Sequence, residues 1–283
     1  MSSQPIHVDG SVRSLWRYPV KSMGGEELNS ARVTEGGIIH DRAYAVIDRS
    51  NGKVASAKVP SKWGGLVQCS ASCETAESDD RVPTVRIALP DGTAVSSGDP
   101  DLGARLSEAL GRPVDLGDFR PETPSVERLD PFADDETIVD IGELMMPGRF
   151  SDYAAVHLLT TATLERLAEL YPEGQFDVRR FRPNIVVETP KGVNGFVENA
   201  WVGRTLAIGN DVRLRISDPA PRCSIPTLPQ GDLPEDRGIL RTIAEHNRVG
   251  IPVLEGEVLP SVGVYAFVVQ AGMVERGDEV RVE

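Results

Sequence analysis

The sequence has few cysteines for its length. Only three of its 283 residues are cysteine, at Cys69, Cys73 and Cys223. An odd, small number in a chain of this length argues against a disulfide framework and favours a reducing compartment. It also excludes an internal iron–sulfur cluster of the common kind, which takes four cysteine ligands, and with it a fused ferredoxin.

Basic side chains are also in deficit. The sequence contains 30 Lys and Arg and 43 Asp and Glu, which gives a net charge of −13. The average field of such a protein repels nucleic acids and anionic membranes, so we expect neither as a partner. The sequence has no secretory signal pattern and no run of 18 uncharged apolar residues, which predicts a cytoplasmic protein.

Several motifs of common enzyme classes are missing. The sequence contains no GxGxxG, so it lacks the dinucleotide fingerprint, and no GxSxG, the elbow of many serine hydrolases. The four histidines are scattered without metal-binding spacing, and no histidine stands near Cys69 and Cys73. A CxxxC pair alone is weak evidence for zinc, so we interpret these two cysteines as structural.

Length and composition indicate a globular protein rich in turns. The chain is 40% hydrophobic and contains 27 glycines and 21 prolines, and 283 residues suit two domains better than one compact core. The segment from about Arg112 to Gly148 is proline-rich and acidic, which is typical of a surface connection. We therefore predict an N-terminal domain over residues 11–120 and a second domain over residues 121–283.

Local patterns predict many short strands and a few helices. β-branched runs bounded by turn residues indicate strands, and Asn51-Gly52 and Asp91-Gly92 predict hairpin turns. Apolar periodicity and end signals predict three helices, at residues 102–110, 161–171 and 237–247. Strands are predicted at residues 12–18, 42–48, 53–59, 184–188, 204–209, 212–217, 265–270 and 279–283. This pattern predicts an α+β protein with β-barrel cores, mostly antiparallel strands and a few helices.

Cys223 is the cysteine with the most unusual surroundings. It follows a predicted strand in the segment DPAPRCSIP, directly after Arg222 and among several prolines. Prolines stiffen such a turn, and a neighbouring cation favours the thiolate, the form that binds metals. The alternative is a buried cysteine packed as a small hydrophobic residue, which the spacing alone favours.

Three further segments place a cation beside small polar groups. They are YPVKS (18–22), HDRAY (40–44) and RFRPNIV (180–186). Together with Arg222 they predict a cationic pocket able to bind a phosphate in an acidic protein. Taken singly, each is more typical of a surface salt bridge. The side chains concerned are Lys21, Ser22, Arg42, Arg182 and Asn184.

In combination, these motifs resemble the MOSC family in its form with an N-terminal β-barrel domain, the group that includes the amidoxime-reducing components. The order is YPVKS, DR, FRPNIV, a cysteine after an arginine, and a final GDEVRVE strand. The resemblance covers about residues 11–283. One departure is Pro221, because these relatives tend to have serine before the arginine, so one hydrogen bond to a cofactor is expected to be missing.

The resemblance implies a molybdenum cofactor in the cleft between two domains, with Cys223 as the protein ligand of the metal. It implies that side chains from both domains bind the cofactor and that Gly263 allows a close backbone approach to it. The implied cofactor-binding residues are Lys21, Ser22, Arg42, Asp152, Tyr153, Arg182, Asn184, Arg222 and Gly263.

The resemblance also implies a molybdenum-dependent oxidoreductase. Its expected substrate is a small N-hydroxylated compound, reduced by two-electron oxygen transfer at the metal, and its electrons come from a separate donor protein. Two alternatives remain open. Cys223 could carry a persulfide in a sulfur-carrier or cofactor-binding protein, or the chain could have only a structural or binding role.

Overall fold

Strands outnumber helices along the chain. The computed structural model describes residues 10–74, 81–118, 127–129, 138–140, 150–151 and 153–283, with 127–129 and 138–140 as backbone. The helices are α1 (Pro60–Trp63), α2 (Leu102–Leu110), α3 (Thr161–Leu170), α4 (Val178–Phe181) and α5 (Gly238–His246). The strands are β1 (Gly10–Arg17), β2 (Glu26–Leu28), β3 (Ser30–Thr34), β4 (Gly37–Ile38), β5 (Ala45–Asp48), β6 (Ser70–Cys73), β7 (Val85–Ala88), β8 (Ala94–Ser96), β9 (Val114–Gly117), β10 (Glu127–Leu129), β11 (Ile138–Asp140), β12 (Val156–Thr160), β13 (Ile185–Glu188), β14 (Thr205–Ile208), β15 (Val212–Pro221), β16 (Arg248–Ile251), β17 (Glu257–Gln270), β18 (Gly272–Glu275) and β19 (Glu279–Val282).

Seven strands close into a barrel. Their order is β12-β13-β1-β19-β14-β15-β17, and β17 pairs back onto β12. Neighbouring strands are antiparallel except β12 and β13, which run parallel. Buried side chains such as Leu15, Leu158 and Leu214 form its core, as the period-two alternation of the strands requires. The predicted α+β fold with a β-barrel and mostly antiparallel strands is confirmed.

The first strands of the chain complete sheets that its last strands form. β1 lies between β13 and β19, and β3 pairs with β18. The predicted division between residues 120 and 121 stays a prediction, because residues 119–126 lie outside the described part of the chain. Strand pairing nevertheless joins the two ends of the chain across that division.

A second hydrophobic core is formed mainly by residues of the segment that runs from β5 to β9. Val46, Leu66, Ile87 and Leu106 are among its buried side chains. The two predicted turns are confirmed, since Gly52 and Gly92 adopt φ of +72° and +83°, values that glycine adopts at low cost.

The strand predicted over residues 53–59 is wrong beyond Val54, which forms an isolated bridge with Ile47. The backbone N–H of Ala57 donates instead to Ser22 Oγ at 3.1 Å. The Ser22 side chain therefore binds a backbone N–H that would otherwise be available for strand pairing. The chain then continues into α1.

The predicted helices are confirmed within one residue at each end. α2 ends at Gly111, which has φ +65°, and Asp236 Oδ1 accepts from the backbone N–H of Gly238 at the start of α5, as a cap does. The four-residue α4 was not predicted. Among the described helices, none is long and apolar enough to cross a membrane.

Candidate cofactor site

Tyr18, the first residue of YPVKS, lies at the centre of the candidate site. It follows β1; its backbone N–H donates to Asp41 Oδ1 (2.8 Å) and its hydroxyl donates to Pro183 O (3.1 Å). The guanidinium carbons of Arg42 and Arg182 lie 4.9 and 4.4 Å from the ring centroid, within cation–π range. Burial raises the pKa of the Tyr18 hydroxyl, so the ring that supports both cations stays neutral.

Arg42 contacts the segment that carries Arg182 and Asn184. Its Nη1 lies 3.5 Å from Asn184 Oδ1, and its Nη2 donates to the Arg182 carbonyl at 3.4 Å. Asp41 forms an ion pair with Arg42, and Arg182 donates to the Met23 carbonyl. The structure thus brings together three residues that the resemblance assigns to one cofactor, while their role toward it stays a prediction.

Backbone strain is concentrated in these same residues. Among the described residues, five that are not glycine have positive φ, and three of them are Ser22 (+67°), Arg42 (+50°) and Arg182 (+57°). A residue with a Cβ enters this region at a cost of about 1–2 kcal/mol. Such strain clusters at functional sites, where the surrounding contacts enforce it.

Lys21 and Ser22 are buried on the N-terminal side of the site. Lys21 Nζ donates to the Phe150 carbonyl at 2.9 Å, and the Phe150 N–H donates to the Arg42 carbonyl at 3.0 Å. Ser22 Oγ accepts from Ala57, as described above. Phe150, which begins the FSDYA segment, is therefore tied to both predicted phosphate-binding cations.

Tyr153 lies in the same segment and faces β15 and β17. Its hydroxyl donates to Asp218 Oδ2 at 2.7 Å, and its ring contacts Tyr265 and Phe267, each with 5.7 Å between centroids. Burial, together with the Asp218 carboxylate, raises the pKa of Tyr153 to about 12. Asp152, its predicted neighbour in the site, lies outside the described residues.

Arg222 connects the cysteine loop to the barrel. Its Nε donates to Ala220 O (3.1 Å), its Nη1 to Phe181 O (3.0 Å) and its Nη2 to Val262 O (2.6 Å). Nη2 also lies 2.6 Å from His157 Nε2. A guanidinium only donates, so Nε2 is the acceptor and the His157 proton is on Nδ1. Burial and the Arg222 charge hold the pKa of His157 well below its usual value.

Gly263 is required by the packing of β17 against β12. It has φ +77°, and a Cβ there would lie 2.3 Å from Leu158 O and 2.5 Å from His157 Nε2. The close approach that this glycine allows is therefore to His157 and to the backbone of β12. A further approach to a cofactor stays a prediction.

Cys223 is half-buried at the end of β15, and the loop after it is held by Arg180. Arg180, itself buried, donates to the carbonyls of Gln175 (2.8 Å), Pro226 (2.9 Å), Leu228 (3.2 Å) and Pro234 (2.8 Å). Arg222 precedes the cysteine and is held as described above. Guanidinium groups thus hold the backbone on both sides of Cys223 through its carbonyls.

The other two cysteines lie away from these contacts. All three cysteines are free, and burial raises the pKa of Cys69 to about 11, which keeps its thiol protonated. Cys73 is half-buried in β6. In the part of the chain that the structure describes, no group of three or more His, Cys, Asp or Glu could hold a metal ion.

Four residues that position the side chains of the site were not predicted from the sequence. Tyr18, Asp41 and Arg180 stand inside the quoted motifs, beside the residues that were singled out. His157 is part of no motif. Its position becomes meaningful only through its contact with Arg222, 65 residues away.

Fold and site together define a β-barrel protein with a cluster of buried and partly buried cations around Tyr18 and a cysteine whose flanking backbone is held by arginines. A model of the MOSC N-terminal beta barrel domain matches residues 9–92, and a model of the MOSC domain matches residues 147–281. The chain belongs to the MOSC-domain family, which confirms the resemblance.

Three curated proteins are similar to the chain at low identity. The mitochondrial amidoxime reducing component 2 of Bos taurus is 27% identical over 96% of this chain and 82% of its own length. Component 1 of Homo sapiens is 26% identical over 77% of the chain and 66% of its own length. The molybdenum cofactor sulfurase of Oryza sativa subsp. japonica is 25% identical over 91% of the chain. The chain spans only 33% of that sulfurase.

Proposed function

We propose that the chain is a molybdenum-cofactor-dependent oxidoreductase that reduces N-hydroxylated small molecules, with Cys223 as the protein ligand of the metal. The observation that carries this proposal is the contact of Arg42 with Arg182 and Asn184 around the buried Tyr18 ring. The names of two relatives, both amidoxime-reducing components, support the substrate class.

The residues present fit an anionic cofactor. Arg42 and Arg182 share the Tyr18 ring, and the Phe150 backbone links Lys21 to Arg42, in a protein of net charge −13. Asp41 is the carboxylate that pairs with Arg42. Guanidinium groups suit the planar, bidentate recognition of phosphate. A thiolate at Cys223 is a soft ligand of the kind that such metals accept.

When bound, the cofactor supplies a metal that accepts an oxygen atom and exchanges two electrons. The chain's own residues hold it: Lys21, Arg42 and Arg182 neutralise its phosphate, and Arg222 fixes the direction of the Cys223 thiolate. An N-hydroxylated amine, R–NHOH, takes up two electrons and two protons and gives R–NH2 and water. A separate electron-donor protein supplies the electrons.

The test combines metal analysis with a reduction assay. We expect about one molybdenum per chain, and reduction of a neutral aromatic amidoxime when reduced viologen is the electron source. NADH alone should give no turnover. A protein that is fully loaded with molybdenum but reduces no amidoxime with viologen would contradict the proposal.

The similarity to a molybdenum cofactor sulfurase favours a second candidate, in which Cys223 carries a persulfide. A half-buried cysteine fixed on both sides could serve either use. Intact-mass measurement distinguishes the two: one additional sulfur atom on Cys223, in protein without molybdenum, supports the carrier.

A further inference from the structure

A groove lies between α1, α5 and the loop that follows Cys223. Its volume is about 470 Å³, which is within the range of small-molecule sites. Pro60 of α1 forms one side of it, and Ser224 and Leu228, from the loop after Cys223, form its floor. Ser224 directly follows Cys223 in the sequence, so the loop that carries the proposed metal ligand also borders the groove.

One face of α5 forms the remaining side of the groove. The opposite face packs into the protein through Ile239, Thr242 and Ile243. The groove face combines two apolar and two cationic side chains at helical spacing, which are Arg237, Leu240, Arg241 and Ala244.

The two cations of this face differ in their surroundings. Arg237 Nε lies 3.2 Å from Glu235 Oε1, so its charge is paired. Arg241 is exposed, and its guanidinium forms no ion pair or hydrogen bond with the described residues. Within the same part of the chain, the Ser224 hydroxyl is likewise without a hydrogen-bond partner. The groove thus offers a hydroxyl and a cation with apolar Leu228 and Leu240 beside them.

We propose that this groove is the substrate site and that Arg241 selects N-hydroxylated compounds that carry a carboxylate. The inference rests on the proposed function, whose substrate class it narrows. The N-hydroxyl end lies at Ser224, beside Cys223, and the apolar body packs on Leu228 and Leu240. The carboxylate accepts a charge-assisted hydrogen bond from Arg241.

The test compares a neutral aromatic amidoxime with its 4-carboxy derivative, both reduced with viologen. In the wild type we expect KM for the carboxylate to be about tenfold lower, because a hydrogen bond to a charged group contributes that much. Arg241→Gln should bring the ratio of the two KM values close to one. Arg237→Gln, one turn away, should change the ratio by no more than about twofold, because the Glu235 carboxylate, which also lines the groove, lies 3.2 Å from Arg237 and offsets its attraction for an anion.

Equal KM values in the wild type, or the same loss of selectivity in Arg237→Gln, would overturn the groove assignment while leaving the proposed function intact. Reduction of neither substrate would instead count against the proposed function. In that case, titration calorimetry of the oxidised protein with the carboxylated amidoxime tests whether the groove binds this compound. Binding that Arg241→Gln abolishes supports it, and absence of wild-type binding overturns it.

Discussion

At the scale of single residues, Arg222 acts mainly by fixing the cysteine loop. A guanidinium has five N–H groups, and Arg222 makes four hydrogen bonds, three to carbonyls and one to His157. At most one N–H therefore remains for a cofactor. The role of Arg222 in cofactor binding stays a prediction, and its contacts in the structure are to three backbone carbonyls and to His157.

We expect Cys223→Ser to abolish molybdenum-dependent turnover while the protein stays folded. A hydroxyl is a harder and far less acidic ligand than a thiolate, and Cys223 is only half-buried. The melting temperature should change by less than about 4 °C. Cys73→Ser is the matched control and should keep activity. Turnover of the Cys223 variant at the wild-type rate would exclude this cysteine as the metal ligand.

His157→Phe should make the protein less stable and less sensitive to acid. The change removes the acceptor for Arg222 and should lower the free energy of unfolding by about 1–3 kcal/mol. The folded-state pKa of His157 lies well below 6.5, so below pH 6.5 only the unfolded chain takes up this proton. Wild-type stability from this group is complete above pH 6.5 and falls by up to about 1.4 kcal/mol per pH unit below it.

Urea denaturation between pH 5 and pH 7 checks the sign of this effect. The wild type should lose stability more steeply on acidification than His157→Phe does. His246→Phe is the control, because His246 is exposed on α5. The stability of this variant should depend on pH as that of the wild type does. Parallel slopes for the wild type and His157→Phe would show that His157 is not held neutral in the fold.

At the scale of elements, the closure of the barrel depends on one glycine. β17 pairs with β12 to complete the barrel, and Gly263 allows the two backbones to approach. Gly263→Ala should therefore lower the free energy of unfolding by about 3 kcal/mol, since overpacking adds to the cost of positive φ. Denaturant titration measures this loss.

Gly256→Ala provides the matched control. Gly256 has φ +84°, and nothing lies within 4 Å of a Cβ placed there. The control change should cost about 1 kcal/mol, the strain of positive φ alone. If both alanine variants lost the same stability, the close contact with His157 and Leu158 would not matter to barrel closure.

Local sequence patterns were sufficient for β13, β19 and residues 212–217 of β15. Buried and less buried side chains alternate along residues 212–217 and along β19, and β13 is a short run of buried Ile and Val. They were insufficient for β17, of which only residues 265–270 were predicted. Pro260 and Gly263 are typical strand breakers, but β17 pairs with β12, β15 and β16 along its length. Tertiary pairing therefore overrides local propensity there.

The candidate site was predictable to a different extent. Lys21, Arg42 and Arg182 stand in recognisable motifs, which predict a shared cationic pocket, and the family resemblance adds the identity of the expected cofactor. Their meeting around Tyr18 depends on pairing between distant strands. The His157–Arg222 contact has no local signature, because it joins β12 to the residue that follows β15, and these two strands are separated by β17 in the sheet.

At the scale of the whole molecule, the two ends of the chain fold together. β1 supplies Val12 and Leu15 to the core of the barrel, and the other six barrel strands come from the second half of the chain. The cations of the candidate site likewise come from both halves. Formation of the barrel and assembly of the site therefore require the same long-range contacts.

This shared construction predicts that a fragment of residues 121–283 does not fold on its own, although the predicted domain division falls at its start. Without β1, strands β13 and β19 lose a neighbour, and without β3 strand β18 loses its partner. Unpaired edges and a depleted core favour aggregation over a unique fold. The full chain should show a cooperative urea transition and a dispersed amide NMR spectrum, and the fragment neither. Adding residues 1–118 in trans should restore both. A fragment that folded cooperatively alone would show that the second half is an independent domain.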